Sequence, residues 1–192
     1  MFRRTSIFAL GLVIAALAAP TAASADDDDF RFVYFPHADV ESHFSNDWGD
    51  ARSGGRSHKG TDVFGDKHSA VVAVADGLIT AMKHSPRAGY NVRIEHQDGW
   101  ETWYLHLNND SPGTNDGAGG DEGAFAPDVE VGMFVKAGTI VGYVGNSGNA
   151  EGGSSHTHFE LHTGRRAVNP YPYLKASHER WLRVMELADA IR

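Results

Sequence analysis

The sequence contains no cysteine. Disulfide bonds are therefore excluded, although they are common in exported proteins, and so is a lipid anchor attached to an N-terminal cysteine. The fold must be held together by burial of apolar side chains, with a bound metal ion as a further contribution if the sequence supplies metal ligands.

Basic residues are outnumbered by acidic ones. The chain has 17 Lys and Arg against 25 Asp and Glu, which gives a formal net charge of −8 with histidine neutral. Binding to nucleic acid phosphates requires clustered Lys and Arg, so this balance argues against nucleic acid as a partner.

A single long apolar run occurs at the N-terminus, from Ser6 to Ala19, directly after Arg3 and Arg4. It is shorter than the roughly 20 residues that a membrane-spanning helix needs. Small residues follow and end at Ala25, which is typical of a cleavage site. The pattern predicts a secretory signal peptide over residues 1–25, export to the periplasm or the medium, and no stable membrane insertion after cleavage.

The rest of the chain has a length that suits one domain. We divide it into an acidic N-terminal segment (26–41), a main domain (42–174) and a C-terminal helix (175–192), and we expect a monomer. The 22 glycines are typical of a loop-rich β protein.

Short apolar runs separated by turn residues dominate the main domain, and they predict a mainly β fold. The expected architecture is an antiparallel sheet, barrel-like or a sandwich, followed by one helix. The predicted elements are a strand over Phe30–Phe35, a hairpin of Ala70–Ala75 with Leu78–Met82, a hairpin of Asn91–His96 with Trp100–Leu107, strands over 133–135, 139–144 and 156–163, and a helix over Leu174–Ile191.

One long polar stretch, residues 108–128, interrupts the strands and has no apolar periodicity. Its composition favours a surface loop over a rim that contacts substrate. The acidic residues in it do not follow the spacing of an EF-hand loop, so no calcium site is predicted.

Metal-ligand chemistry is concentrated in two clusters, His58 with Asp62 and His156 with His158. Either pair alone is a common pattern on protein surfaces, but together they can close on one ion. A carboxylate with two imidazoles is typical of a catalytic zinc site, which keeps one position open for water. In a strand His156, His158 and Glu160 share one face, so one histidine can bind the metal while the other points into the cleft. Glu160 is then placed to orient a ligand.

The strand predicted over Trp100–Leu107 alternates in the same way. If Trp103, Leu105 and Leu107 face the core, Tyr104 and His106 face the cleft. His106 is therefore a candidate for proton transfer. The remaining histidines, His37 and His162 among them, have no partner at ligand spacing and are interpreted as surface or packing residues.

Six blocks of sequence resemble peptidase family M23, the lysostaphin-type or LytM-type zinc endopeptidases that cut peptide bonds in bacterial peptidoglycan. The blocks are WGDARSGGRSHKGTDVFG, VVAVADGLIT, WYLHL, VKAGTIVGYVGNSG, HTHFELH and NPYPYL, in the family's order over about residues 47–174. The resemblance implies a LytM-type (duplicated hybrid motif) β-sheet domain with a long groove and peptidoglycan peptides as substrate.

By the same resemblance, one zinc ion per chain is implied, with His58, Asp62 and His158 as its ligands and His106 and His156 as the catalytic pair. Glu160, Tyr104 and Arg52 are further candidates for supporting a ligand or contacting substrate.

Two features differ from the family pattern. Thr157 stands between the two histidines where a bulky apolar residue is usual, and residues 108–128 are longer than the usual connection. Because threonine is β-branched and suits a strand, we expect altered packing and an intact metal site.

Two other functions are compatible with parts of the sequence. The first is a non-catalytic module that binds the cell wall or activates another hydrolase, although relatives of that kind typically lack metal ligands. The second is a biotinyl or lipoyl carrier, because two hairpin-like blocks resemble those domains. A carrier needs a modifiable lysine at a hairpin tip, and the Asp76-Gly77 turn has none.

Overall fold

The structure is a computed structural model, and it describes residues 30–38 and 41–191; the predicted signal peptide lies outside these ranges. In this part of the chain the strands are β1 (Ala51–Arg52), β2 (Arg56–Ser57), β3 (Thr61–Phe64), β4 (Ala70–Val72), β5 (Gly77–Ser85), β6 (Gly89–Glu95), β7 (Trp100–Leu107), β8 (Phe134–Val135), β9 (Ile140–Tyr143), β10 (His156–Thr163) and β11 (Arg166–Val168), and the helices are α1 (Gly120–Ala124) and α2 (Tyr171–Ala190).

An antiparallel sheet of seven strands forms the body of the molecule. Its order is β11-β10-β7-β6-β5-β8, and β3 pairs with β10 beyond the end of β11. Two small two-stranded sheets, β1-β2 and β4-β9, lie beside it. The predicted fold class, mainly antiparallel β with a C-terminal helix, is confirmed; within the described residues the sheet stays open and does not close into a barrel.

The first predicted hairpin is wrong. β4 pairs with β9, whereas β5 pairs with β6 and β8, so the Asp76-Gly77 turn passes between two sheets. The burial pattern explains the difference: all five residues from Val71 to Ala75 are buried. In a hairpin strand with one solvent-exposed face, buried and exposed residues would alternate. This segment instead runs through the core.

The second predicted hairpin, β6 with β7, is confirmed. The prediction missed the β5-β6 hairpin, whose turn lies between Ser85 and Gly89. Gly89 adopts φ +60° there, a conformation that favours glycine.

Phe30–Phe35 forms no strand, which corrects the prediction. The amides of Val33 and Tyr34 both donate to the Val74 carbonyl, so no regular ladder is possible. The three phenylalanines of the segment are nevertheless buried, and Phe32 contacts Phe159 of β10 with ring centroids 5.3 Å apart. The apolar composition of this segment therefore reports burial of side chains without sheet pairing.

α2 begins three residues earlier than predicted, and its first half packs on the core. Leu174 is fully buried, and His178 lies 4.8 Å from Phe35 between ring centroids. The apolar residues of the second half that suggested the helix, Leu182 and Leu187, are exposed. No helix within the described ranges has the length and apolarity required to cross a membrane.

The polar stretch 108–128 is anchored to the domain at its start. The Lys67 ammonium donates to the buried Asp110 carboxylate at 2.6 Å, and the Gly117 amide donates to the other oxygen at 2.7 Å. α1 lies inside the stretch. None of its residues lines the groove described below, which agrees with a surface loop and does not support a substrate-contacting rim.

Candidate metal centre and groove

A groove runs along one face of the seven-stranded sheet, over β10 and β7. The face-sharing predicted for β10 is confirmed: His156, His158, Glu160 and His162 line the groove, whereas the residues between them are buried in the core. The other walls come from β6, from the β1-β2 ribbon and from the loop around Asn149.

Three side chains meet at the floor of this groove. His58 Nε2 lies 2.8 Å from His158 Nδ1 and 3.1 Å from Asp62 Oδ1, and His158 Nδ1 lies 2.8 Å from the same carboxylate oxygen. Strand β3 brings the two parts of the cluster together, because it pairs directly with β10 and sets Asp62 opposite His158. Among the described residues this is the one group of three or more potential ligands that could hold a metal ion.

The far nitrogen of each imidazole is occupied. His58 Nδ1 lies 2.9 Å from the Asp47 carbonyl oxygen, and His158 Nε2 lies 3.0 Å from Glu160 Oε1. Because both partners accept hydrogen bonds, these nitrogens carry the proton in the neutral rings. The two nitrogens that face each other then present lone pairs, and a carboxylate oxygen adds a third, so the arrangement fits a cation.

The electrostatics of the cluster favour positive charge. Burial alone would lower the pKa of His58, but hydrogen bonds to Asp47 and Asp62 outweigh it and raise the pKa to about 9. Burial would raise the pKa of Asp62, but His158 and His58 hold it far below its usual range. The pKa of His158 is also raised, because Asp62 and Glu160 overcome its burial.

The spacing of the donors suits zinc. Tetrahedral coordination with Zn–N bonds of about 2.0–2.1 Å places donors about 3.3 Å apart, slightly more than the distances between these three atoms. The second oxygen of Asp62 accepts from Arg52 Nη2 at 2.7 Å. Arg52 therefore leaves one carboxylate oxygen free for a metal.

His106 reaches the groove through a β-bulge in β7. Tyr104 pairs with Val92 and Leu107 pairs with Tyr90, so Leu105 and His106 together oppose the single residue Asn91. His106 has φ +60°, which is uncommon outside glycine. The extra residue makes Leu105 and His106 both face the groove.

The bulge also corrects the predicted facing of this strand. Trp103 and Leu105 line the groove, whereas Thr102 and Tyr104 are fully buried in the core. The Tyr104 hydroxyl accepts from the Val74 amide at 3.0 Å. Tyr104, predicted to face the cleft and to support a ligand or contact substrate, therefore has no access to the groove.

Two further imidazoles stand beside the donor cluster. His106 Nδ1 lies 2.8 Å from the Ser147 carbonyl oxygen, and His156 Nδ1 lies 2.9 Å from the Ser154 carbonyl oxygen. Their rings lie 5.2 Å apart, and His156 Nε2 is 3.9 Å from Asp62 Oδ1. Burial, followed by the charge of His156, lowers the pKa of His106 to about 4. His106 is therefore neutral near pH 7, with Nε2 able to accept a proton.

Sequence reasoning missed part of the support for the cluster. Glu160 Oε2 accepts from His162 Nε2 at 2.7 Å, and the His162 ring stacks on Trp103 with centroids 4.1 Å apart. The sequence predicts a surface or packing role for His162 and a core position for Trp103. The alternation in β10 could have identified His162, since it shares a face with His158, but Trp103 depends on the bulge.

Thr157 belongs to a buried polar cluster behind the site. Its hydroxyl lies 2.9 Å from His37 Nε2, and His37 Nδ1 lies 2.9 Å from the Ser42 hydroxyl. All three residues are buried. The N-terminal segment is thus connected to the strand that carries His156 and His158.

Two curated relatives share about a third of the aligned sequence. The chain is 31% identical over 115 residues to the DD-carboxypeptidase/endopeptidase Mpg of Neisseria meningitidis serogroup B, an alignment that covers 60% of this chain and 22% of that protein. It is 30% identical over 112 residues to the peptidoglycan DD-endopeptidase ShyA of Vibrio cholerae serotype O1, covering 58% of this chain and 22% of the relative. The chain thus spans about a fifth of the length of either relative.

The fold is similar to that of the catalytic domain of the antimicrobial peptidase lysostaphin from Staphylococcus simulans. The TM-score is 0.55 with 27% identity, and the match covers 69% of this chain and 92% of that domain. The family model of peptidase family M23 matches residues 56–118 and 123–170, more than half of the chain. The chain belongs to peptidase family M23.

Proposed function

We propose that this protein is an exported zinc-dependent endopeptidase that hydrolyses peptide bonds in peptidoglycan stem peptides or cross-bridges. The observation that carries the proposal is the convergence of His58 Nε2, Asp62 Oδ1 and His158 Nδ1 at the groove floor. The alternative, a non-catalytic binding module, requires no such convergence and no further imidazoles beside it.

His58, Asp62 and His158 are the proposed ligands, and they leave a coordination position for water or substrate. When bound there, zinc acidifies a water molecule and polarises a carbonyl group. Asp47 and Glu160 hold the two imidazoles in the tautomers that ligation needs. Arg52 restrains the second oxygen of Asp62.

His106 and His156 are the proposed proton-transfer residues. Each has Nδ1 bound to a backbone carbonyl, so each ring is fixed and its Nε2 is available. One ring can accept a proton from the attacking water and return it to the departing amine, while the other, when it carries protons on both nitrogens, donates a hydrogen bond from Nε2 to the oxyanion. The lowered pKa of His106 leaves its Nε2 unprotonated near pH 7, so this nitrogen can accept a hydrogen bond from the attacking water.

The substrate class is proposed from the relatives. ShyA is a peptidoglycan DD-endopeptidase and Mpg a DD-carboxypeptidase/endopeptidase. Peptidoglycan lies outside the cytoplasmic membrane, which agrees with the signal peptide expected over residues 1–25. The open groove is consistent with an extended peptide lying across the metal centre.

Incubation with purified peptidoglycan tests the proposal. We expect the zinc-loaded protein to release new amino groups, a chelator to abolish that release, and added zinc to restore it. Cosedimentation of the protein with peptidoglycan is measured in parallel. Binding by the zinc-loaded protein without any new amino groups would support the non-catalytic alternative.

Glu160→Gln is expected to weaken zinc binding by roughly 10–100-fold, because the carboxylate that orients the His158 ring is replaced by an amide. Competition with a colorimetric chelator measures the affinity. Glu101→Gln is the matched control, since Glu101 lines the same groove but bonds to Trp103 Nε1. Equal zinc affinities for the two variants would contradict a role for Glu160 in orienting His158.

A further inference from the structure

The groove is rich in positive charge although the chain as a whole is acidic. Six basic residues line it, against three acidic ones, whereas the whole sequence has 17 basic and 25 acidic residues. The acidic members are already engaged: Asp62 belongs to the metal cluster, Glu160 bonds to two histidines and Glu101 bonds to Trp103. The basic members are Arg52, Arg56, Lys59, Arg87, Arg93 and Arg165.

Most of this positive charge is not neutralised inside the protein. Arg52 pairs with Asp62. Within residues 30–38 and 41–191, no ion pair is formed by Lys59, Arg87, Arg93 or Arg165. A groove that concentrates unpaired cations raises the local concentration of anionic ligands.

Arg93 is held against an aromatic face. Its guanidinium carbon lies 3.6 Å from the centroid of the Trp103 ring, and His162 stacks on Trp103 as well. Arg93 Nε is buried and has no hydrogen-bond partner. The Trp103 indole is itself fixed by Glu101. A guanidinium held by an aromatic face is prepared to bind a carboxylate through two parallel hydrogen bonds.

Strand register gives the distance of Arg93 from the metal cluster. Arg93 pairs with Trp103, which pairs with Glu160, so the three form one row across β6, β7 and β10. Two strand spacings and a displacement of two residues along β10 place the Cα atom of Arg93 roughly 12 Å from the Cα atom of His158. That distance corresponds to three or four residues of an extended peptide.

We propose that this groove selects peptides with free carboxylates near the scissile bond, bound principally by Arg93, over neutral peptides such as oligoglycine bridges or amidated stems. This inference rests on the proposed function in one respect, because the metal centre proposed there defines where the scissile bond lies. The preference itself is a property of binding, so it can be measured without turnover.

The test uses two cross-linked stem peptides that differ only in whether their side-chain and α-carboxylates are free or amidated. In both, the scissile NH is replaced by CH₂, so that neither can be cleaved. Calorimetry with the zinc-loaded protein is expected to show binding of the carboxylate form at least about tenfold tighter. Added salt should reduce this preference.

Arg93→Gln is expected to reduce the preference, because binding of the carboxylate peptide weakens more than binding of the amidated peptide. Arg183→Gln, which removes the same charge from an exposed position on α2, should keep the preference of the unmodified protein. Equal binding of the two peptides by the unmodified protein, or an undiminished preference in Arg93→Gln, would overturn the inference. A preserved preference without cleavage of the natural amides would instead count against the proposed function alone.

Discussion

Replacing His158 by alanine should abolish both zinc binding and hydrolysis. His158 supplies one of three donors, and its loss leaves two, so the loss of affinity should exceed the roughly 10–100-fold caused by removing an outer partner. Elemental analysis of the purified protein gives its zinc content, and amine release from peptidoglycan gives its activity. Zinc bound at one ion per chain in an active His158→Ala protein would remove His158 from the metal centre.

Two further variants separate this effect from misfolding. Asp62→Asn keeps the size of the side chain while replacing a charged ligand by an amide, and it should also lose zinc and activity. His84→Ala is the matched control, because His84 is an exposed histidine on β5 outside the groove. It should keep the zinc content and the activity of the unmodified protein.

His106→Asn should keep zinc and lose turnover. Removing a positioned acid–base group typically costs about 10²–10⁴-fold in rate, and we expect kcat to fall by that amount. Because His106 is not among the three converging donors, the zinc content should remain at one ion per chain. Steady-state kinetics with a defined cross-linked peptide, together with elemental analysis, provide both measurements.

Asparagine is chosen because the backbone at residue 106 has φ +60°. Asparagine adopts this conformation more readily than alanine, so a loss of activity in His106→Asn is not attributable to backbone strain. His106→Ala should show the same kinetic loss with lower stability. Full activity in His106→Asn would exclude His106 from the mechanism.

Much of the site could be predicted from the sequence because it depends on local periodicity. The alternation in β10 correctly places His156, His158 and Glu160 on one face, since side chains in a strand alternate. The meeting of His58 and Asp62 with His158 is a long-range event. Periodicity cannot show it, and the prediction relied on the resemblance to a family.

The errors have a common physical origin, which is that pairing between distant segments does not follow from local patterns. Val71–Ala75 is followed by a suitable turn, yet β4 pairs with β9 far along the chain. Phe30–Phe35 is apolar and aromatic as many strands are, yet it buries its three phenylalanine rings without joining the sheet. The predicted face of Trp103 was wrong because the residue types of its strand do not reveal the bulge.

The bulge at Leu105 and His106 has a consequence for how this domain tolerates change in length. Successive side chains in a strand point to opposite faces of the sheet. One added residue therefore moves every later side chain to the face opposite the one that alternation predicts. Leu105 and His106 both face the groove, so removing one of them would restore strict alternation, with a single groove-facing residue between Tyr104 and Leu107. A relative that lacks one residue at this point can therefore still present an imidazole to its groove, provided that the residue it keeps is the histidine.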